Sequence, residues 1–170
     1  AQGRTFSAEE QAELYAAYGL TLADRPAQLE AQAVSTGLMD ILLPVKDGAA
    51  LGRAVQDERT VTALSRRYGV VGVHMFCLGD APGVTARCRN FAPLYAIPEE
   101  AATGTSNGAL TDYLYRRGLV CPGGENRFLQ GEAMGKPSEI LSRLTDTDGK
   151  VRVRVGGRAV LSLRCALLGE

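Results

Sequence analysis

Several things are scarce in this chain of 170 residues. It has no tryptophan, one histidine (His74) and four cysteines, and aromatic residues make up 6 % of it. A site built on several histidines is therefore impossible within one chain. Cys77, Cys88, Cys121 and Cys165 are far apart and form no C-x-x-C pair, which argues against a zinc or dithiol redox site. No charge sign is in excess: nineteen Lys and Arg balance nineteen Asp and Glu. A general binder of nucleic acid or anionic membrane would need a basic surplus. Long apolar runs are missing too, since 70–73 and 41–45 are far too short to cross a bilayer. The N-terminus lacks the charged, apolar and small-residue order of a signal peptide. G-x-G-x-x-G and Walker A loops are absent, so no motif supports nucleotide binding. What is present is ordinary for one packed domain, with 45 % hydrophobic and 22 % charged residues. A cytoplasmic protein is expected. Cys77, Cys88 and Cys165 lie in apolar, strand-like surroundings and read as buried reduced thiols.

Ser7 and Glu10 have the spacing of a capping box, and Leu14, Tyr15 and Tyr18 share one face of the helix that follows, which ends at Gly19. Residues 29–45 read as extended, with a break at Thr36-Gly37. Asp47 caps a short helix to about Val55. Asp57 starts another with Val61, Leu64 and Tyr68 on its apolar side, ending at Gly69. Val70–Leu78 and Val84–Phe91 read as strands joined by the turn at 79–83. Small and polar residues open a helix over 103–117, whose body carries Leu110, Tyr113 and Leu114. Arg127–Gln130, Ser138–Leu144, Val151–Val155 and Ala159–Leu167 are strand candidates, with a hairpin turn at 146–149. Helices and strands do not alternate regularly, so a doubly wound parallel sheet does not fit. The pattern predicts an α+β domain whose mixed or antiparallel sheet curls around the 103–117 helix.

The stretch from Pro98 to Gly108 carries the chemistry. Glu99 and Glu100 precede Thr103, Gly104, Thr105 and Ser106 at the start of that helix. The first N–H groups of a helix have no internal partner, and its dipole is positive there. Gly104 lets a ligand approach the backbone, and the hydroxyls add donors. This suits a carboxylate or phosphate, with Glu99 or Glu100 beside it to move a proton. The same residues also make an ordinary acidic helix start.

Four ordered motifs resemble one family. Arg89-Asn90-Phe91-Ala92-Pro93 matches R-x-F-A-P, and Glu99–Ser106 matches E-D-P-A-T-G-S-A. Gln130-Gly131 with Gly135-Lys136-Pro137-Ser138 matches Q-G with G-R-P-S, and 155–160 matches V-G-G-x-A-V. In this order and spacing, over about residues 35–167, they resemble the phenazine-biosynthesis PhzF-like isomerases. That family is similar in fold to diaminopimelate epimerase: two lobes, each a curled sheet around a central helix, with both helix N-termini aimed at the substrate carboxylate. The resemblance implies that residues 1–170 form the C-terminal lobe alone, about half of such an enzyme. The other lobe would bring the family's main catalytic Glu and a Gly-His pair, and neither is recognisable in residues 1–35.

Carried over residue by residue, the motif's acid lands on Glu100, longer by one methylene, and its proline is Ala101. The Gly-Ser that receives the carboxylate lands on Gly104 and Thr105. Thr103 stands where the epimerase relatives have a catalytic Cys. A hydroxyl is far too weak an acid for that role, which disfavours racemisation by two bases. The resemblance implies Glu100 as catalytic and Arg89, Thr103, Gly104, Thr105 and Ser106 as substrate-binding, with no cofactor or metal. It implies a small carboxylate metabolite and a second lobe from a separate subunit or a homodimer mate. No nucleic acid or membrane partner is expected. A non-catalytic small-acid-binding or protein-interaction module is the alternative. The remaining residues have plainer readings. His74 lies inside an apolar run and reads as a core histidine rather than a catalyst. Arg89 either orients the cleft or pairs with an acid. Gly156-Gly157 is a bend or bulge, or a close ligand approach.

Overall fold

The computed structural model describes residues 2–161 and 163–165. Nine strands form one mixed sheet: β1 (Gln2–Thr5), β2 (Gln32–Ser35), β3 (Met39–Pro44), β4 (Gly72–Leu78), β5 (Ala86–Ala92), β6 (Ile97–Glu100), β7 (Glu125–Gln130), β8 (Ser138–Thr147) and β9 (Lys150–Gly156). They lie in the order β1–β2–β3–β4–β5–β7–β8–β9, with β6 beside the upper half of β5. The pairs β3–β4 and β5–β7 are parallel and the others antiparallel.

Alternation sorts the strand residues onto two faces. Ile41, Leu43, Val73, Met75 and Phe91 point outward to pack on Leu14, Tyr15, Tyr18, Val61 and Leu64. Leu14 and Tyr15 belong to the outer helix α1 (Ala8–Ala16), with Tyr18 just beyond it, and Val61 and Leu64 to α3 (Glu58–Tyr68), while a third outer helix, α2 (Gly48–Arg53), adds Ala50 and Leu51 to the same core. Local capping sets where each begins. The Ser7–Glu10 capping box opens α1, Asp47 accepts from the Ala50 N–H at 2.7 Å, and Asp57 accepts from Arg59 and Thr60. Gly69, at φ 66°, ends α3.

Val34, Leu42, Phe76, Cys88, Phe128 and Ile140 point inward onto Leu110, Tyr113 and Leu114 of the last helix, α4 (Gly104–Tyr115). Strands from both ends of the sheet, β2 and β3 on one side and β8 and β9 on the other, pack against α4. The sheet thus curls around it, and residues 106–114 are buried on every side. Close approach needs small residues: a Cβ at Gly108 would stand 3.1 Å from Val155.

The α+β reading with a curled sheet around the 103–117 helix agrees with this architecture. Three details differ. The expected strand Ala159–Leu167 is absent among its described residues; Ser162, Ala166 and Leu167 lie outside them. Val160, Leu161 and Leu163 are exposed, because the chain leaves the sheet at Gly156 and, among the described residues, no strand lies beside it; apolar propensity forms no strand without a partner. For the same reason Cys165 is exposed, whereas Cys77 and Cys88 are buried. Strands β1 and β6 were not legible: Gln2-Gly3-Arg4-Thr5 has no apolar alternation, and β6 carries Pro98 and two glutamates.

Candidate functional site

The pairing of β5 with β6 separates the two glutamates. Glu100 lies opposite Asn90, on the side facing α4, and Glu99 turns to the outer side. There Arg89 holds Glu99 through two bonds of 2.9 and 2.8 Å and also donates to the carbonyls of Leu51 and Ala54 at 3.1 and 2.7 Å. Of the two readings open for Arg89, the structure places it as an ion-pair partner and carbonyl clamp. It is not brought to the α4 end.

Thr103 is the N-cap residue of α4 by position, but its side chain does not cap the helix. Its hydroxyl donates to Glu100 Oε2 and accepts from Gln130 Nε2 at 2.9 Å. The exposed N–H groups of Gly104 and Thr105 are therefore left to solvent or a ligand. Gln130, with no exposed surface, joins the pieces. Its Nε2 also donates to the Glu100 carbonyl at 2.7 Å, and its Oε1 accepts from Thr103 N at 3.3 Å and Asn107 Nδ2 at 2.9 Å. One amide thus fixes the end of β6 and the first turn of α4. The next residue, Gly131, has φ 81°, and a side chain there would overlap the carbonyls of Lys136 and Ala101. Only glycine lets the 131–136 loop lie against the Glu100–Thr103 segment.

Ser106 points away from solvent and donates to Asp40 Oδ2 at 2.6 Å. Thr36, in the β2–β3 turn, donates to the Thr105 carbonyl at 2.9 Å. Of the expected hydroxyl donors, Thr103 and Ser106 are committed to carboxylates. Among the described residues, Thr105 keeps a hydroxyl with no bond to another side chain, at the exposed end.

Beneath this turn lies a polar layer. His74 Nδ1 and Asn90 Oδ1 are 3.0 Å apart, and Cys88 Sγ donates to Asn107 Oδ1 at 3.5 Å. His74 is wholly buried, which pushes its pKa down to about 4; Asn90 and Asn107 partly oppose the shift. Asn107 is close enough for that influence, yet Nε2 makes no well-formed hydrogen bond. Burial also pushes the Cys88 thiol well up. Neither group is placed as a catalyst, in line with the core reading of His74. Asp40 differs: burial raises its carboxyl to about 6 against the opposing hydrogen bonds from Ser106 and Gly72, and nearby Glu100 adds to the rise.

Gln130, Asn107 and Asp40 were not singled out by sequence reasoning as site residues. Each is a polar residue on an inward-facing position, Asp40 between Met39 and Ile41 and Gln130 two residues after Phe128. That signal is visible only once the inward face is known. Among the described residues, no cluster of His, Cys, Asp or Glu could hold a metal ion. A surface hollow of about 490 Å³, lined by Glu13, Asp57, Arg59 and Arg67, lies on the outer helices away from this network.

The family model for phenazine biosynthesis-like proteins, PhzC-PhzF, matches residues 2–164. The chain belongs to the PhzC-PhzF family. An uncharacterized isomerase of Deinococcus radiodurans is 36 % identical over 133 residues, covering 76 % of this chain and 42 % of that protein. Trans-2,3-dihydro-3-hydroxyanthranilate isomerase of Pseudomonas aeruginosa is 29 % identical over 147 residues, covering 86 % and 49 %. Among solved structures, a predicted epimerase from Pseudomonas aeruginosa superposes with TM-score 0.71 at 29 % identity, covering 96 % of this chain and 56 % of that one. A Bacillus anthracis PhzF-family protein superposes with TM-score 0.80 at 22 % identity, covering 91 % and 53 %, a likeness of fold. The chain spans about half the length of these relatives. PhzF-family membership and the curled fold thus agree with the motif reading.

Proposed function

We propose that this chain is the C-terminal lobe of a cofactor-independent isomerase, in which the N-terminal end of α4 holds a substrate carboxylate and Glu100 moves a proton at carbon. The observation that carries the reading is the junction of β6 and α4. Two exposed N–H groups of a buried helix, Gly104 and Thr105, stand beside a carboxylate that Thr103 and Gln130 hold in place. The N–H groups and helix dipole would stabilise the carboxylate and any negative charge that develops on it. Glu100 would take the proton from one carbon and return it to another. The relatives called isomerases support this class of reaction.

Gly104 and Thr105 are exposed, and so are the apolar side chains of Leu38, in the turn next to Thr36, and Val155, beside Gly104. A second lobe, from a separate subunit or from another copy of this chain, would cover them and exclude water, which strengthens the dipoles within. The substrate class is a small cyclic or acyclic carboxylate such as trans-2,3-dihydro-3-hydroxyanthranilate.

The test is turnover of that compound in deuterium oxide by the assembly that contains this chain. The wild type is expected to place deuterium at carbon. Glu100→Gln should lose turnover by roughly 10²–10⁴-fold while still binding the carboxylate. Full activity in Glu100→Gln would remove its assigned role. Binding without turnover in the wild type would favour a small-acid-binding module instead.

A further inference from the structure

Asp40 is a buried ionisable group that the proposed chemistry leaves unused. It lies on β3, is 4 % exposed and faces α4. Its Oδ2 accepts the Ser106 hydroxyl at 2.6 Å, and the backbone of Gly72, paired with Asp40 across β3 and β4, favours the charged form. Among the described residues, no Lys, Arg or His forms an ion pair with it. Ser106 is the third residue of α4, so this bond fastens the carboxyl to the same first turn, whose N–H groups receive no cap from the Thr103 side chain. The Thr36 bond to the Thr105 carbonyl grips that turn a second time from the same hairpin.

Resting on the reading of the α4 end given above, we propose that Asp40 is a positioning residue that makes carboxylate binding there proton-linked: the ligand enters and one proton from solvent is taken up on Asp40. A bound carboxylate and an ionised Asp40 would both draw on one helix terminus within a single turn. Two negative charges at that separation repel, and the one that is buried without a cation yields. Protonation on Oδ1 leaves Oδ2 free to keep the Ser106 bond, so the turn stays in place while the charge is removed.

The neighbouring elements supply nothing that would do this instead of Asp40. Strand β2, Gln32–Ser35, carries no titratable group. His74 on β4 is held neutral by burial down to about pH 4. On α4, Asp112 lies well beyond Ser106 and pairs with Arg116 and Gln2. Glu100 on β6 adds negative charge and favours protonation of Asp40. Burial already places Asp40 at about 6, so a further negative charge carries it through neutrality.

The experiment is calorimetric titration of this chain with benzoate, ionised throughout, between about pH 5.5 and about pH 8 in buffers of different ionisation enthalpy. Wild type should take up as much as one proton per benzoate near neutrality, and its affinity should fall several-fold per pH unit above about pH 6. Asp40→Asn keeps an acceptor for Ser106 and cannot titrate. It should bind without proton uptake, with flat pH dependence, and more tightly than wild type at the alkaline end. Ser106→Ala removes the bond that favours the charged carboxyl, so its uptake should move to higher pH; this variant serves if Asp40→Asn does not fold. Binding by the wild type without proton uptake would overturn the proposal alone. Uptake that survives in Asp40→Asn and vanishes in Glu100→Gln would assign the proton to Glu100 and overturn it as well. No benzoate binding by any form at any pH would remove the α4 reading together with this proposal.

Discussion

The two faces of the sheet are both buried, but they are built differently. The outer face packs Ile41, Leu43, Val73 and Met75 on three helices, and buried polar side chains there, such as Gln11 and Asp24, serve helix ends and nearby turns. The inner face packs Leu42, Phe76 and Phe128 on α4, yet places Asp40, His74, Asn90, Ser106, Asn107 and Gln130 in the same layer. Hydrogen bonds across that layer end at Glu100 and Thr103. A buried polar group costs free energy unless it is bonded. The inner face therefore gives up apolar packing for a fixed geometry at one helix terminus, and the outer face supplies the stability that the inner one forgoes.

That contrast can be broken most directly on the outer face. Leu14→Ala should cost about 2–5 kcal/mol of unfolding free energy in urea and leave benzoate affinity of the folded protein unchanged. A loss of binding larger than the loss of stability would mean that the faces are not separate. On the inner face, Gln130→Leu removes the partner of the Thr103 N–H and the Glu100 carbonyl. It should cost about 2–3 kcal/mol and, unlike Leu14→Ala, lower turnover of the assembled enzyme by roughly 10²-fold.

Two inner-face groups make stability depend on pH with opposite sign. Asp40 titrates at about 6, above its unfolded value near 3.8, so its contribution to stability is lost as pH rises between the two. His74 titrates at about 4, below its unfolded 6.5, so stability is lost as pH falls through that range. Each effect is at most about 3 kcal/mol. Asp40→Asn should remove the first and raise stability at neutral pH by about 1–2 kcal/mol. A His74 ring that takes up a proton near its ordinary value, seen by NMR, would contradict the dry layer. The smallest change is expected at the outer surface. Arg67→Ala breaks the exposed 2.8 Å ion pair with Glu13 and should shift stability by about 0–1 kcal/mol, with no effect on binding.

Much of the outer face was legible in the sequence because its signals are local. Ser7 with Glu10, Asp47, Asp57 and Gly69 mark helix ends within a turn, and the apolar runs of β3 and β4 announce themselves. Helix α4 and its free end were legible from the small residues around Gly104. The inner polar layer was not, because its partners are distant in the chain: Asp40 meets Ser106 across 66 positions and Gln130 meets Thr103 across 27. Arg89 shows the same limit. Its place in a motif did not reveal that its strand turns it toward Glu99 and the outer side. At Ala159–Leu167 the local signal was strong, but among the described residues no neighbouring strand receives it.

Carboxylate binding at the N-terminal end of α4 underlies both proposals. Backbone amide NMR of this chain titrated with benzoate tests it most directly. The Gly104 and Thr105 N–H resonances are expected to move first and furthest, saturating together, and Gly104→Val should abolish the response at this turn. Benzoate that leaves these two amides unmoved, or that moves a different set of residues, would contradict it.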